Sequence, residues 1–161
     1  MSPPVFNNIL QIGIVVHDVN VTVQNYRDLL DLNKWHFNYV DTKNGKGRNF
    51  RRGDQPVDAK AKIAWMRIGN VELEIIEPWD EDSVYTQFLR EKGPGIHHVM
   101  FATKDYGNCA ERMAANNIAV LGCGELQDTR FQMFDTQKRL GMICEIAEGE
   151  PLEPDESIEP R

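Results

Sequence analysis

Polar side chains stand at matching positions inside apolar, strand-like segments in the two halves of this 161-residue chain. Gln11 opens one such segment and His98 opens another, and an aspartate and a helix-like stretch follow each of them. Each half also ends in an apolar segment that contains glutamate, with Glu72 and Glu74 in the first half and Glu145 in the second. A duplicated unit with this pattern can bring four ligand side chains together between its copies.

Each of these side chains also has an ordinary structural interpretation. A lone strand histidine is more often a core residue than a ligand, but two inward-facing carboxylates at matching positions favour a ligand role for His98. A carboxylate buried without a partner is strongly unfavourable, so a metal ion or another cation is the simplest explanation of Glu145. Glu72 and Glu74 share one face of their strand, which could also be a solvated face. His97 lies on the face opposite His98, and we interpret it as a structural or supporting residue.

The elements that must position these side chains occur in the order strand–helix–strand–strand–strand, twice. Alternating and β-branched apolar residues predict strands at 9–16, 35–40, 63–68, 71–76, 96–103, 118–121, 129–135 and 142–146. Asp18 or Asn20 is expected to cap the first helix, the second helix is predicted at 106–116, and a short helix at 83–90 connects the two halves. Gly69 and Asn70 predict a two-residue hairpin turn.

Two segments fall outside this repeat. Residues 41–58 are polar and contain Arg48, Arg51 and Arg52, which predicts a long loop inserted into the first copy. The residues from 149 onward are acidic and rich in proline, which predicts a disordered tail.

The composition excludes some classes of function. The net charge of −7 argues against nucleic-acid binding, and no apolar run approaches the roughly 18 residues that a membrane helix needs. The three cysteines form no CxxC pair, and the first residues do not resemble a secretory signal, so we expect free thiols and a cytoplasmic location. The length fits one domain, or two small units fused around one core.

Four motifs, at 12–18, 72–78, 95–101 and 141–145, resemble in order and spacing those of the vicinal oxygen chelate superfamily. This superfamily includes glyoxalase I, methylmalonyl-CoA epimerase and the extradiol dioxygenases, and the stretches 73–78, 88–89 and 95–98 are most similar to the epimerase branch. The resemblance implies an α+β fold over residues 8–148. In it, two βαβββ modules (8–92 and 95–148) form curved mixed sheets around a central cavity, and the tail at 149–161 follows.

The resemblance also implies a divalent metal ion bound by the first and last strands of each module, here by Gln11, Glu74, His98 and Glu145. The family usually has histidine at the position of Gln11, which could instead be a hydrogen-bonding residue of the pocket. Mn, Co, Mg, Ni and Zn are all candidates. One imidazole, one amide and two carboxylates suit Mn²⁺, Mg²⁺ or Co²⁺ better than a structural Zn²⁺.

The reaction that the resemblance implies is an isomerisation, epimerisation or lyase reaction that transfers a proton α to a carbonyl group through an enolate, with acyl-CoA as one candidate substrate. Glu145 is our first candidate for the base and Glu74 our second. Asp54 and Asp58 in the inserted loop are candidates for a further carboxylate.

For substrate binding we predict Trp35, Trp65 and Arg52, with an anionic small molecule as the partner of the arginine. A homodimer is expected, because the sheet edges of paired modules commonly meet across a two-fold axis in this family. Two alternatives stay open: a protein of the same fold that binds a small molecule without turnover, and a glyoxalase I-like lyase. A ring-cleaving dioxygenase is disfavoured, because its iron site uses two histidines and one carboxylate.

Overall fold

The computed structural model describes residues 5–158 of the chain. Its first half consists, in chain order, of β1 (Phe6–Val15), α1 (Val19–Leu30), β2 (Trp35–Asp41), a 3₁₀ helix (Thr42–Asn44), β3 (Arg48–Arg52), β4 (Gln55–Pro56), β5 (Lys60–Ile68), β6 (Val71–Pro78) and α2 (Val84–Lys92). The second half consists of β7 (Gly95–Thr103), α3 (Tyr106–Ala115), β8 (Val120–Leu126), β9 (Thr129–Phe134), α4 (Gln137–Leu140), β10 (Ile143–Gly149) and β11 (Glu156–Ile158). No helix in this part of the chain is long and apolar enough to span a membrane.

The strands form one curved, mixed sheet in which the two modules have the same strand order. The order is β2-β5-β6-β1 in the first module and β8-β9-β10-β7 in the second, and β1 pairs with β7 to join them. In each module the first strand runs parallel to the last, as β1 does to β6 and β7 does to β10. The predicted α+β fold of two βαβββ modules curved around a cavity is therefore confirmed.

The repeated aspartates cap the helices that follow the first strand of each module. Asp18 accepts a hydrogen bond from the Val21 backbone N–H at 2.9 Å, and Asp105 accepts one from the Asn108 backbone N–H at 2.9 Å. Such caps satisfy backbone donors that the first turn of a helix leaves free. The repeat thus fixes where α1 and α3 begin, and both helices cover the face of the sheet that lies opposite the predicted ligands.

The segment predicted as a polar loop at 41–58 contains a 3₁₀ helix and two strands, so that prediction is wrong in part. β3 leaves the first module and pairs with β8 of the second. Phe50 on β3 packs edge-on against Phe131, with ring centroids 5.6 Å apart. We call residues 42–59 the inserted segment; it crosses from one module to the other.

The prediction of a disordered tail is also wrong for the part that the structure describes. β10 continues to Gly149, and β11 pairs with β2 at the edge of the first module. The Glu153 backbone N–H donates to Gln127, and its carbonyl accepts from Asn38. Residues 150–158, the tail segment, therefore make a second crossing between the modules, and the two segments together are called the roof. Residues 159–161, the rest of the predicted tail, lie outside the described residues, and so do residues 1–4, on which the expected cytoplasmic location depends.

Candidate metal centre

Four adjacent strands bring the four predicted ligands to the junction of the modules. Gln11 and Glu74 come from the parallel pair β1 and β6, and His98 and Glu145 come from the parallel pair β7 and β10. Because β1 pairs directly with β7, the two halves of the ligand set meet at the middle of the sheet. Side chains alternate between the faces of a strand, and these four point to the concave face.

The centre of this arrangement is the imidazole of His98. Its Nε2 atom lies 2.8 Å from Glu145 Oε2, 3.1 Å from Gln11 Oε1 and 3.4 Å from Glu74 Oε2. His98 is completely buried, and Gln11 and Glu145 are buried as well. The structure therefore brings together all four side chains that the sequence assigned to the site.

A glycine on the neighbouring strand makes room for the imidazole. Gly13 lies directly opposite His98 in the pairing of β1 with β7. A Cβ atom at position 13 would lie only 2.0 Å from His98 Cε1, far inside van der Waals contact. The position of the ring therefore depends on a glycine in the motif at 12–18.

The electrostatics of the site couple the histidine to its carboxylates. Burial alone would lower the pKa of His98, but the charges and hydrogen bonds of Glu145 and Glu74 outweigh it and raise this pKa to about 10. Burial raises the pKa of Glu145 above its ordinary value, although the neighbouring imidazole acts in the opposite direction. Without another cation, the carboxylates thus hold the proton on His98.

His97 supports the ring from the side away from the carboxylates. Its Nδ1 lies 3.1 Å from Nδ1 of His98, and its ring packs against Tyr85 and Phe88 of α2. Burial and the neighbouring His98 lower the pKa of His97 to about 3, so that it is neutral. A neutral His97 accepts the Nδ1–H of His98, which directs Nε2 toward the oxygens. This arrangement agrees with the supporting role expected from the sequence.

Glu72 is a further member of the site that the sequence argument did not assign. Its Oε1 accepts a hydrogen bond of 2.7 Å from Gln11 Nε2, which orients the Gln11 carbonyl oxygen toward His98. Burial, reinforced by the charges of Glu74 and Glu145, raises the pKa of Glu72 to about 7, although the Gln11 hydrogen bond acts against this. The sequence contains a signal for this role of Glu72, because Glu72 and Glu74 lie two residues apart and therefore share a strand face.

The donor set fits a divalent cation in charge. One imidazole, one amide oxygen and two carboxylates carry two negative charges when His98 is neutral. Glu145 Oε2 is buried 2.8 Å from His98 Nε2, but no described residue donates a well-directed hydrogen bond to it. Within residues 5–158, however, no group of three or more His, Cys, Asp or Glu side chains could hold a metal ion as it stands.

The site lies at the inner end of a cavity of about 330 Å³ between the sheet and the roof. Trp65 lines this cavity, and its Nε1 donates to Asn38 Oδ1 at 2.7 Å. Trp35 does not line the cavity, because it is completely buried against α1 on the other face of the sheet. The prediction that Trp35 binds the substrate is therefore wrong. Trp35 lies there because alternation along β2 directs it toward α1 and not toward the cavity.

The predicted role of Arg52 is corrected as well. Arg52 lies on β3 outside the cavity, and the arginine that lines the cavity is Arg67 of β5. Asp54 and Asp58, the candidates for a further carboxylate, are exposed on the inserted segment, where Asp58 pairs with Lys43 at 3.3 Å. They lie outside the cavity because β3 turns toward β8 before the chain reaches them.

The chain also matches a known protein family. Residues 10–133 match the model of the glyoxalase/bleomycin resistance protein/dioxygenase superfamily. Because this match covers more than half of the chain, the protein belongs to that superfamily. An uncharacterized protein of Bacillus subtilis (strain 168), YqjC, is 29% identical over 136 residues, which are 84% of this chain and 76% of that protein.

Solved structures with the same fold include methylmalonyl-CoA epimerases. A variant of the Streptomyces coelicolor epimerase in complex with 2-nitronate-propionyl-CoA has a TM-score of 0.64 at 22% identity, over 91% of this chain and 99% of that one. The epimerase of Mycobacterium tuberculosis has a TM-score of 0.63 at 17% identity, over 94% of this chain and 93% of that one. At these identities the likeness shows the fold.

Proposed function

We propose that this protein is a metal-dependent enzyme that transfers a proton at the carbon next to a carbonyl group, as an isomerase, epimerase or lyase. The observation that carries the proposal is the convergence of Gln11, Glu74 and Glu145 on His98 Nε2 at the inner end of a cavity. Burying two carboxylates, an amide and an imidazole together is unfavourable unless a bound proton or cation compensates the carboxylate charge. Membership of the superfamily and the fold shared with epimerases support this proposal.

The proposed ligands of the metal ion are Gln11, Glu74, His98 and Glu145. A divalent ion bound there supplies a Lewis acid that stabilises negative charge developing on the substrate's carbonyl oxygen. The chain's own residues do the rest of the positioning. Glu72 orients the amide of Gln11, His97 fixes the tautomer of His98, and the strands hold both in place.

Glu145 is the proposed base, with Glu74 as the second candidate. Glu145 is buried at the inner end of the cavity, and burial raises its pKa above the ordinary value, which favours acceptance of a proton from a substrate there. Glu74 faces the same space and is somewhat more exposed. A positioned carboxylate of this kind typically contributes a factor of about 10² to 10⁴ in rate.

Metal analysis and proton exchange test the proposal together. Purified protein is loaded with Mn²⁺ and dialysed, its metal content is measured, and the exchange of the α-protons of 2-hydroxyacetophenone in D₂O is followed by NMR. We expect about one ion per chain and exchange that falls at least about 100-fold in Glu145→Gln. Glu111→Gln, an exposed carboxylate on α3, is the matched control and should exchange like the unaltered protein. Full exchange in Glu145→Gln with metal retained would remove Glu145 from the role of base.

The crowding around His98 favours a second candidate, a small-molecule binding protein without turnover. The side chains as they stand include no group of His, Cys, Asp or Glu within residues 5–158 that could hold a metal, and the amide of Gln11 is a weaker ligand than imidazole for transition metals. For this candidate, the affinity of 4-methylcatechol should not change when metal is removed by EDTA. For the enzyme, EDTA should lower that affinity at least about tenfold, because the two phenolic oxygens lose the ion that they bind.

A further inference from the structure

The cavity is lined by many more acidic than basic side chains. Of the residues lining it in the described part of the chain, one is basic, Arg67, and six are acidic: Glu72, Glu74, Asp80, Glu145, Glu148 and Glu150. Glu148 is paired with Arg130. Even with Arg67, Arg130 and a divalent ion counted against them, the carboxylates stay in excess.

The arginines that the sequence offers for an anion are used elsewhere. Arg48 forms an ion pair of 2.6 Å with Glu125, and Arg51 donates to the backbone carbonyl of Asp54. Arg52 lies outside the cavity. A carboxylate or phosphate group entering the cavity would therefore meet negative charge in a partly dry space, where repulsion is poorly screened.

The outer walls and the size of the cavity restrict the ligand further. The roof and the strands that face it line the cavity with apolar side chains: Val40, Phe50, Ile63, Leu126, Phe131 and Leu152. A volume of about 330 Å³ lies at the small end of the range for pockets that enclose drug-sized ligands. The inserted segment and the tail segment pair with the outer strands β8 and β2, and residues of both segments line the cavity.

We propose that the cavity selects an uncharged, largely apolar small molecule with an oxygen-bearing end, and that it discriminates against free acids, phosphates and CoA thioesters. The walls accept the apolar body of such a molecule, and burying a charge among them without a partner is unfavourable. The acidic inner end repels anions while the amide and carboxylate groups accept hydrogen bonds from hydroxyl groups. This inference deepens the proposed function, and it depends on that function for the oxygen-bearing end of the ligand.

A matched pair of probes tests the charge preference. 4-Methylcatechol and 3,4-dihydroxybenzoate share their two phenolic oxygens and differ by a methyl group against a carboxylate. Both are titrated by calorimetry into metal-free and Mn²⁺-loaded protein, with propionyl-CoA as a third ligand. We expect the catechol to bind at least tenfold more tightly than the acid in both forms of the protein. Equal binding, tighter binding of the acid, or tighter binding of propionyl-CoA than of the catechol would overturn the proposal.

The metal-free measurement separates this inference from the proposed function. If no metal binds and the catechol is still preferred, the proposed function fails and the charge preference stands. If metal binds and supports proton exchange but the acid is preferred, the proposed function stands and the preference fails.

A charge reversal in the tail segment tests whether the preference comes from the cavity. Glu150 lines the cavity, whereas Glu153 lies three residues further along, is exposed and is not part of the lining. Glu150→Lys should lower the ratio of the affinities for 4-methylcatechol and 3,4-dihydroxybenzoate at least threefold. Glu153→Lys should leave this ratio nearly unchanged. An effect of the same size in both variants would assign the preference to the overall charge of the chain and overturn the proposal.

Fluorescence quenching decides the outcome if no probe binds to a measurable extent. In Trp79→Phe the remaining indoles are Trp65, which lines the cavity, and Trp35, which is fully buried. We expect neutral acrylamide to quench Trp65 and anionic iodide to quench it at most one-tenth as well, with iodide quenching restored at least threefold by Glu150→Lys. Iodide that quenches as efficiently as acrylamide would contradict an acidic cavity.

Discussion

The two modules share a strand order but contribute different halves of the site. The second module supplies His98 and Glu145, both buried, and the first supplies the amide of Gln11 and the partly exposed Glu74. Only the first module carries an insertion, which lies between β2 and β5, and only the second module continues into a tail segment. Each module thus sends one segment across the cavity to the other.

This difference indicates a division of roles between the modules. The second module supplies the imidazole and a buried carboxylate, so it is suited to anchor an ion. The first module holds a weaker donor and needs Glu72 to orient it and Gly13 to make room for His98. We therefore expect substitutions in the second module to abolish the site and those in the first to tune it.

The largest effect is expected from loss of a ligand of the second module. His98→Ala removes the nitrogen donor at the centre of the site and should weaken Mn²⁺ binding at least about 100-fold, more than the loss of an outer-shell partner does. Gln11→Ala, its counterpart in the first module, should weaken binding only about tenfold. Isothermal titration of both variants checks the order. If Gln11→Ala is as damaging as His98→Ala, the division of roles is contradicted.

The next largest effect is expected from a methyl group added at Gly13, where β1 of the first module faces His98 of the second. Gly13→Ala forces the new methyl group into the imidazole of His98, which is fully buried and cannot move freely. We expect a loss of about 2 kcal/mol in the free energy of unfolding, as for other overpacked cores, together with loss of metal binding. Urea unfolding measures the first quantity. Gly107→Ala is the control, because a Cβ atom there meets no atom closer than 3.8 Å, and it should not destabilise the protein.

Replacing Gln11 by histidine tests the difference between the metal donors of the two modules. Gln11→His gives the first module an imidazole like that of the second, so binding of Co²⁺ and Zn²⁺ should tighten about tenfold, while binding of Mg²⁺ should not. Competition against a metal indicator measures these affinities. An unchanged Co²⁺ affinity would mean that the side chain at position 11 is not a ligand.

The smallest effect is expected at the roof. Leu152 of the tail segment packs partly buried against the core around Val40 and Phe50. Leu152→Ala should lower the free energy of unfolding by about 1 kcal/mol and should weaken binding of 4-methylcatechol a few-fold. Leu140→Ala, at an exposed leucine of α4, should change neither. A disordered tail segment would predict no difference between these two variants.

The convergence of Gln11, Glu74, His98 and Glu145 could be predicted from the sequence because it depends on local repetition. Alternation along four strands fixes which side chains share a face, and the aspartates Asp18 and Asp105 fix where the helices begin. The same reasoning failed for Trp35, since a single strand pattern does not say which face meets a helix and which meets the cavity. Here α1 and the aromatic ring of Tyr26 cover it.

The roof could not be predicted because its contacts are long-range. β3 pairs with a strand about 70 residues later in the chain, and the tail segment has few apolar residues apart from Leu152 and Ile158. β8 was also predicted too short, because Gly122 and Gly124 are poor strand formers. They are tolerated there because Val84 and Phe50 pack where a Cβ atom would lie.

The central claim is that Gln11, Glu74, His98 and Glu145 hold one divalent ion. Crystals soaked in Mn²⁺ and measured at the manganese absorption edge test this claim most directly. We predict one strong anomalous peak within bonding distance of His98 Nε2 and of oxygens from the other three residues. A peak elsewhere, or no peak at this site in the presence of excess Mn²⁺, would contradict the account.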